Sequence, residues 1–272
     1  MRFPQSIAHR GFQAQYPENT MRSFIGAVNA GTHALETDLH LTRDNVVVLS
    51  HDPTLLRCFG VDKRIIDCDY EYIRTLTTVK SPPQRMPTLK ELLAYLREPE
   101  ATHLWLLLDI KLDNHPENVM RLAAEALAEV GGEGAQSWEG RVTLGIWALK
   151  YVAVGILNRL CERYLPDFPI AHIGTSIAYA REFLNIPGAA FNLHYAALAN
   201  ASGKKFLSDA RKEGRNVFAW TVNDERLMKW SICHKIDGIA DDRSGYFSEF
   251  ALNMILVLTA PLHSGAGKWS WS

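Results

Sequence analysis

The chain carries no excess of charge of either sign. Its 272 residues include 29 lysines and arginines and 30 aspartates and glutamates, for a formal net charge of −1. Proteins that bind nucleic acid through its phosphates normally carry a clear positive excess. We therefore expect no general attraction to nucleic acid.

The sequence is also poor in cysteine. Its four cysteines are scattered without a close pair, which is typical of reduced thiols inside a cell, although the sequence alone leaves a disulfide open. Nor do we find a secretory signal, because Met1–Pro4 lead almost directly into an apolar run that ends at His9. We expect an intracellular protein, either cytoplasmic or peripherally attached to an intracellular membrane or lipid droplet.

Short apolar runs alternate with helical patterns along most of the chain. The runs are apolar on both faces, as expected of buried parallel strands. Eight such strands alternating with helices predict an α/β fold, a TIM (β/α)8 barrel, as one domain over residues 1–262 with a short tail at 263–272. The predicted strands are Ser6–His9, His33–Asp38, Leu104–Lys111, Arg141–Trp147, Pro169–Ile173, Ala189–Leu193, Asn216–Val222 and Ile236–Asp241.

The predicted helices follow the same alternation. Their ends are marked by capping residues and glycines. Asn19 and Thr20 are both interpreted as caps of the first helix, and Asn223 as a cap of a later one. The helices are placed at residues 20–30, Pro116–Val130, Gly203–Glu213 and Asp224–Cys233.

One connection, residues 39–103, is too long for a loop and a single helix. It contains a predicted strand, Val46–Ser50, and a helix near Thr88–Arg97. Prolines at 82, 83 and 87 indicate loop between the two. We interpret 39–103 as a small insertion after the second strand that caps the barrel mouth.

Three carboxylates fall at the ends of neighbouring predicted strands. Glu36 and Asp38 share one face of the second strand because residues i and i+2 of a strand point the same way. Asp109 and Lys111 do the same at the third strand. The carboxyl ends of barrel strands line the catalytic face. Three carboxylates with no cysteine nearby favour a hard divalent cation, Mg²⁺ or Ca²⁺.

Two histidines end strands on the same expected face, His9 on the first strand and His51 on the strand of the insertion. Cleavage of a phosphodiester needs one proton removed from the nucleophile and one given to the leaving oxygen, and two imidazoles can do both. Arg10 and Lys111 would neutralise phosphate oxygens. The other histidines, His172 among them, are interpreted as structural.

These residues occur in an ordered series of motifs. The series reads His9-Arg10-Gly11, Pro17-Glu18-Asn19-Thr20, Glu36-Thr37-Asp38, His51-Asp52, Asp109-Ile110-Lys111, Trp220-Thr221-Val222-Asn223 and Asp237-Gly238-Ile239-Ala240-Asp241. It resembles the glycerophosphodiester phosphodiesterase family over about residues 6–245. The resemblance implies a TIM barrel with a small insertion, an acid/base pair of His9 and His51, and a divalent cation at Glu36, Asp38 and Asp109. It further implies that Arg10 and Lys111 hold the phosphate and that Trp220 lines the substrate mouth.

Two positions depart from the family pattern. Asp109 stands where the family commonly has glutamate, so a metal would sit deeper or be bridged by water. The closing motif reads Ala240-Asp241-Asp242, where the family usually has threonine before the aspartate and proline soon after. These departures make the chain most similar to the fungal phosphatidylglycerol phospholipase C branch.

The resemblance implies a phosphoric diester hydrolase. The expected reaction is of the phospholipase C type on phosphatidylglycerol, giving diacylglycerol and glycerol phosphate. A first alternative is hydrolysis of soluble glycerophosphodiesters to glycerol 3-phosphate and an alcohol. A second alternative, from another class, is a non-catalytic lipid- or phosphate-binding module on the same barrel.

The most continuously apolar stretch is Phe250–Leu262. As a helix it covers about 20 Å, which is short of the ~30 Å hydrocarbon core of a bilayer. It is interpreted first as the eighth barrel helix. The alternative is peripheral membrane contact, since Lys268, Trp269 and Trp271 are residue types found at membrane interfaces.

Overall fold

A closed barrel of eight parallel strands forms the centre of the protein. The computed structural model describes residues 4–131, 137–148, 157–247 and 249–250. The first strand pairs with both the second and the last, which closes the ring, and one short strand pairs antiparallel with the second. The strands are β1 (Gln5–His9), β2 (Ala34–Leu41), β3 (Val47–Leu49), β4 (Trp105–Ile110), β5 (Val142–Ile146), β6 (Ile170–Gly174), β7 (Ala190–His194), β8 (Val217–Trp220) and β9 (Gly238–Asp241).

The predicted barrel is confirmed, and each of its eight predicted strands overlaps an observed one. Of the described strands, β3 alone stands outside the ring, where its register pairs Leu39 with Leu49. Most residues of the parallel strands are buried, and β2 is buried over its full length. This burial on both faces explains why the strands read as continuous apolar runs rather than as alternating ones.

The helices begin where the sequence supplies side-chain caps. Thr20 and Thr88 each form a reciprocal capping box, with Ser23 and Glu91 respectively. Asp224 caps its helix, so the expected cap at Asn223 was wrong by one residue. The helices are α1 (Met21–Asn29), α2 (Leu56–Phe59), α3 (Tyr70–Ile73), α4 (Leu89–Tyr95), α5 (Pro116–Val130), α6 (Leu157–Tyr164), α7 (Ile177–Glu182), α8 (Tyr195–Ala199), α9 (Ala201–Lys212) and α10 (Glu225–Cys233).

The predicted insertion, residues 39–103, contains two kinds of structure. Its beginning continues β2 to Leu41, and α4 buries its leucines in the main hydrophobic core of the barrel. Between them, β3, α2 and α3 surround a separate small core, so this part of the segment packs around its own apolar centre. The buried residues of that centre are Val48, Leu55, Ile65, Cys68, Ile73 and Met86.

The C-terminal prediction falls largely beyond the described residues. Phe247 and Phe250 pack in the main core. Residues 251–272 lie outside the described part, so both the eighth barrel helix and the peripheral membrane contact stay predictions. In the described part of the chain, no helix combines the length and apolar character needed to cross a membrane.

Candidate active site

The predicted site residues meet at the carboxyl ends of the barrel strands. Strand register places His9 of β1 beside Glu36 of β2, and Asp38 of β2 beside Asp109 of β4. Together they line a single cavity of about 80 Å³. The residues around it are His9, Arg10, Glu36, Asp38, His51, Asp109, Lys111, Trp147, Ile173, Asn192 and Trp220.

Three buried carboxylates form the floor of the site. Glu36, Asp38 and Asp109 each offer an oxygen, and these oxygens lie within 4.8 Å of one another. Burial and the negative charge of Asp38 raise the pKa of Glu36 to about 7. The same two causes raise the pKa of Asp109 to about 6, because together they outweigh the opposing charge of the Lys111 ammonium. Such crowded oxygen ligands suit a hard divalent cation, which would offset their repulsion.

Lys111 partly neutralises this cluster. Its Nζ lies 2.7 Å from a carboxylate oxygen of both Asp38 and Asp109. The second oxygen of Asp109 accepts a hydrogen bond of 2.7 Å from the indole Nε1 of Trp147. Burial opposes a charge on Lys111, but the two carboxylates outweigh it and raise the pKa of its ammonium. Lys111 therefore stays cationic at the wall of the cavity.

The turn after β1 brings Arg10 into the cavity. Arg10 itself has a positive φ of 56°, and Gly11 follows at 77°, where an added Cβ would lie 2.5 Å from the hydroxyl of Ser23. Only glycine fits such a close approach. The Arg10 amide donates to Glu36 at 2.9 Å, and its guanidinium lies 3.0 Å from Glu18.

Asn19 holds Asp38 and does not cap a helix, which corrects the sequence interpretation. Its Nδ2 donates to Asp38 Oδ2 at 2.8 Å, while its Oδ1 accepts from Thr37 at 2.7 Å. Thr20 alone caps α1. The burial of Asp38 would raise its pKa, but the Lys111 and Arg10 charges outweigh that effect, so the pKa of Asp38 is lowered and this carboxylate is ionised.

A carboxylate holds each of the two histidines at Nδ1. His9 Nδ1 lies 2.8 Å from Asp242 Oδ1, and Asp242 Oδ2 accepts from Asn223 at 2.7 Å. The amide of Gln13 donates to the same Asp242 oxygen. Burial opposes protonation of His9, but the hydrogen bond to Asp242 and the charge of Glu36 outweigh it, so the pKa of His9 is raised.

His51 has the neighbouring residue as its partner. Its Nδ1 lies 2.8 Å from Asp52 Oδ1. Arg57 in turn donates to both oxygens of Asp52 and to both oxygens of Glu18. Burial is the largest influence on the imidazole and lowers the pKa of His51. Each Nδ1 is thus engaged, which leaves the Nε2 atoms of both histidines for proton transfer.

Two tryptophans form an aromatic wall of the cavity. The rings of Trp147 and Trp220 meet edge to face with centroids 5.9 Å apart. Trp220 Nε1 donates to the backbone oxygen of Asn192 at 3.0 Å. The side-chain oxygen of Asn192 is buried and has no hydrogen-bond partner among the described residues, so it is available to accept from a hydroxyl of a bound molecule.

The histidine in β6 is structural, as interpreted from the sequence. His172 is fully buried, and its ring stacks on Phe183 with centroids 4.0 Å apart. Burial lowers the pKa of His172 to about 4, so this imidazole is neutral. It lies in the middle of its strand and does not reach the cavity.

Sequence reasoning missed several residues that hold the site. Asp242 was noted only as a departure from the family pattern, and Trp147 and Asn192 were not singled out. Trp147 and Asn192 did lie at or near the ends of predicted strands, which was the available signal. For Asp242 the only signal was a second carboxylate in the closing motif.

Comparison with known proteins decides the family. The model of the glycerophosphoryl diester phosphodiesterase family matches residues 9–246. The chain belongs to this family. It is 37% identical over 285 aligned positions to Lysophospholipase D GDPD1 of Rattus norvegicus, covering 91% of this chain and 86% of the relative. It is 28% identical over 249 positions to the uncharacterized protein YqiK of Bacillus subtilis, covering 87% and 93%.

Solved structures of the family share the fold. A phosphodiesterase of Oleispira antarctica, solved with the product sn-glycerol-3-phosphate, aligns with a TM-score of 0.74 at 23% identity, covering 92% of this chain and 97% of that one. A glycerophosphodiester phosphodiesterase of Parabacteroides distasonis aligns with a TM-score of 0.73 at 23% identity, covering 93% and 99%. As a family member, the chain is a phosphoric diester hydrolase of the glycerophosphodiester phosphodiesterase type, and the non-catalytic alternative is set aside.

Proposed function

We propose that the chain hydrolyses a glycerophosphodiester bond with a divalent cation, Mg²⁺ or Ca²⁺, held by Glu36, Asp38 and Asp109. The observation that supports this most directly is one cavity lined by a three-carboxylate cluster and by two histidines, each with its own carboxylate partner. This arrangement supplies two proton-transfer groups and an oxygen-ligand site at the same phosphoryl group.

Each residue of the site then has a distinct role in the proposed hydrolysis. When bound, the cation would polarise a phosphoryl oxygen and neutralise its carboxylate ligands. Of His9 and His51, one takes the proton of the attacking oxygen, and the other gives a proton to the departing alcohol. Arg10 and Lys111 contribute positive charge for the phosphate oxygens and stabilise the charge that builds up on them. Trp220 forms a flat wall beside the glycerol.

The size of the cavity indicates which part of the substrate it encloses. Its volume of about 80 Å³ is far below the ~300–1,000 Å³ of sites that enclose a whole drug-sized ligand. We propose that it encloses the phosphate and a glycerol hydroxyl, the latter donating to Asn192, and that the departing alcohol lies outside. The glycerol 3-phosphate bound by the Oleispira antarctica phosphodiesterase is consistent with this division.

The identity of the departing alcohol distinguishes three reactions. With phosphatidylglycerol it is diacylglycerol, which makes the enzyme a phospholipase C, as proposed from the likeness to the fungal branch. The rat relative is named a lysophospholipase D, for which the corresponding alcohol is a lysophospholipid headgroup. With soluble glycerophosphodiesters it is a small alcohol. We propose a lipid substrate first, because exposed aliphatic side chains adjoin residues of the cavity, as Leu112 adjoins Lys111.

A substrate panel tests the proposal. The purified protein would be given phosphatidylglycerol, lysophosphatidylcholine and glycerophosphocholine, each with Mg²⁺, Ca²⁺ or EDTA, and the products would be identified by mass spectrometry. Diacylglycerol, lysophosphatidic acid and glycerol 3-phosphate each identify one reaction. Full activity after thorough chelation would refute the role of the cation, and turnover of glycerophosphocholine alone would refute the lipid substrate.

A further inference from the structure

Three aliphatic side chains are unusually exposed in the part of the chain that the structure describes. Leu56, Val79 and Leu112, here called the apolar rim, are 54%, 67% and 49% exposed. In the described part of the chain, the other large hydrophobic side chains with comparable exposure are Ile66 and Tyr72. A single exposed apolar residue needs no explanation. These residues, however, all lie between β2 and β4 or in the turn after β4, and such a concentration indicates a surface with a function.

Two members of the rim adjoin residues of the site. Leu56 precedes Arg57, whose guanidinium is bonded to Glu18 at 2.6 and 2.8 Å. Leu112 directly follows Lys111, which lines the cavity. The chain therefore places each exposed leucine next to a cation that is fixed at the mouth of the barrel.

The third member follows the same pattern. Val79 precedes Lys80, whose ammonium donates to the backbone oxygen of Gln13, and Gln13 in turn lies 2.9 Å from the His9 ring. The backbone of Val79 is held by Cys58, which lies two residues after Leu56, through a hydrogen bond of 2.9 Å. Leu56 and Val79 are thus on one part of the surface, beside the histidine end of the cavity.

We propose that the apolar rim docks on the surface of a phospholipid bilayer, so that the headgroup of one lipid enters the cavity. Val79 is followed by Lys80, which is exposed and, among the described residues, bonded only to a backbone oxygen, and a lysine beside exposed aliphatic side chains fits the boundary between acyl chains and anionic phosphates. Arg57 and Lys111 are held by carboxylates and position the other two members of the rim at the cavity. The small polar cavity next to the rim fits the head of an amphiphile and leaves its apolar part outside. This inference rests on the proposed function and names the physical state of its substrate.

The test compares a rim variant with a matched surface variant. The double variant Leu56→Ser/Val79→Ser removes two aliphatic side chains, and Ile66→Ser removes an exposed one from the same segment. Binding would be measured by co-sedimentation with phosphatidylcholine vesicles that contain phosphatidylglycerol. Hydrolysis would be measured on those vesicles and on dissolved glycerophosphocholine, with melting temperatures to confirm folding.

The rim variant should lose vesicle binding and vesicle hydrolysis, roughly fivefold for each half-buried aliphatic side chain removed and about 25-fold for both. Its hydrolysis of any dissolved substrate that the wild type accepts should stay within about twofold of the wild type, and Ile66→Ser should behave like the wild type.

Equal vesicle binding by the rim variant and the wild type would overturn the proposal. The same loss of vesicle binding in Ile66→Ser as in the rim variant would overturn it as well. A wild type that forms a dimer through these residues would overturn it too. Vesicle binding without hydrolysis of any substrate would instead refute the proposed function while supporting the rim.

Discussion

At the scale of single residues, the site depends on two imidazoles held by carboxylates. His51 lies 2.8 Å from Asp52 and is still 37% exposed, so its ring can reach a substrate while its orientation is held. Asp38 and Lys111 influence it only through their charges. His51 is therefore expected to act on protons and not as a further ligand beside Glu36, Asp38 and Asp109.

Replacement of His51 by alanine should lower kcat by about 10²- to 10⁴-fold, the usual contribution of one positioned acid or base. The three carboxylates are unchanged by this substitution, so cation binding measured by calorimetry should match that of the wild type. His103→Ala serves as the control, because His103 lies outside the cavity, and it should keep full activity. Unchanged kcat in the His51 variant would remove this residue from the mechanism.

Asp242 is predicted to set the pKa of His9. Burial lowers that pKa, whereas the hydrogen bond to Asp242 raises it and gives a net increase. In Asp242→Asn the raising influence is lost, so the pKa of His9 falls. If His9 is the acid, the alkaline limb of the pH–rate profile moves to lower pH, and if it is the base, the acidic limb does. The limb that moves identifies the role.

The Asp242→Asn variant should also be a slower enzyme. Loss of a carboxylate behind a catalytic histidine costs on the order of 10- to 10⁴-fold in kcat. Asp209→Asn is the matched control, since Asp209 is ion-paired to Arg181 and its side chain is 29% exposed, as is that of Asp242. An Asp242 variant with both limbs in place would show that the contact is only structural.

The residues proposed to act on protons and on the cation could be predicted, but the residues that hold them in place could not. A strand end and a two-residue spacing are local patterns, so His9, Glu36, Asp38 and Asp109 could be read from them. Asp242 reaches His9 across 233 positions of sequence, and Asn19 leaves a plausible capping position to hold Asp38. Contacts of this kind depend on barrel closure, which no local pattern contains.

At the scale of elements, α2 is tied to the barrel through one arginine. Arg57 donates four hydrogen bonds, two to Asp52 and two to Glu18, and Glu18 also binds Arg10. The hydrogen bond from Arg57 is the largest influence on Asp52 and lowers the pKa of its carboxyl from 3.8 to about 2. Arg57 thereby connects the segment after β3, through Glu18, to Arg10 at the cavity.

Replacement of Arg57 by methionine should weaken this connection. Because Arg57 is 48% exposed, we expect a loss of no more than about 1 kcal/mol in the free energy of unfolding. The folded-state pKa of Asp52 is depressed, so the stabilisation is present above about pH 4 and is lost as the pH falls toward 2. Urea unfolding at several pH values should show the free energies of unfolding of the variant and the wild type converging in acid.

Arg43→Met is the control, because it breaks the more exposed pair with Asp69 and should have the smaller effect on stability. A difference in the free energy of unfolding between Arg57→Met and the wild type that does not change with pH would contradict the prediction.

Elements were predicted well where one pattern dominates. Pro116–Val130 was placed correctly at both ends because a proline starts the helix and glycine follows it. Residues 39–103 were harder, because periodicity cannot tell which of several short helices joins the main core. The burial of Leu89, Leu92 and Leu93 shows that α4 is the helix that joins the main core. It does so because α5 packs against it, which the sequence of α4 alone does not reveal.

At the scale of the whole molecule, the fold concentrates negative charge in its centre. A chain of net charge −1 buries three carboxylates around one cavity, and among the described residues Lys111 and Arg10 form ion pairs with them. Parallel barrel strands make this possible, because their carboxyl ends all converge on one face. Binding of a cation at this point would therefore stabilise the entire barrel.

Mg²⁺ or Ca²⁺ should raise the melting temperature of the whole protein. A ligand at 100 times its Kd stabilises the folded state by about 2.7 kcal/mol, which corresponds to about 5–10 °C for a chain of this size. The cation must displace protons from Glu36 and Asp109, whose pKa values are raised to about 7 and about 6. Its apparent affinity should therefore increase as the pH rises through that range.

Two variants test where the cation binds. Glu36→Gln should abolish the rise in melting temperature. Asp241→Asn, a change at a fully buried carboxyl that does not line the cavity, should retain it. Scanning calorimetry of the chelated protein with added cation measures all three, and an equal shift in Glu36→Gln would place the cation outside the cluster of Glu36, Asp38 and Asp109.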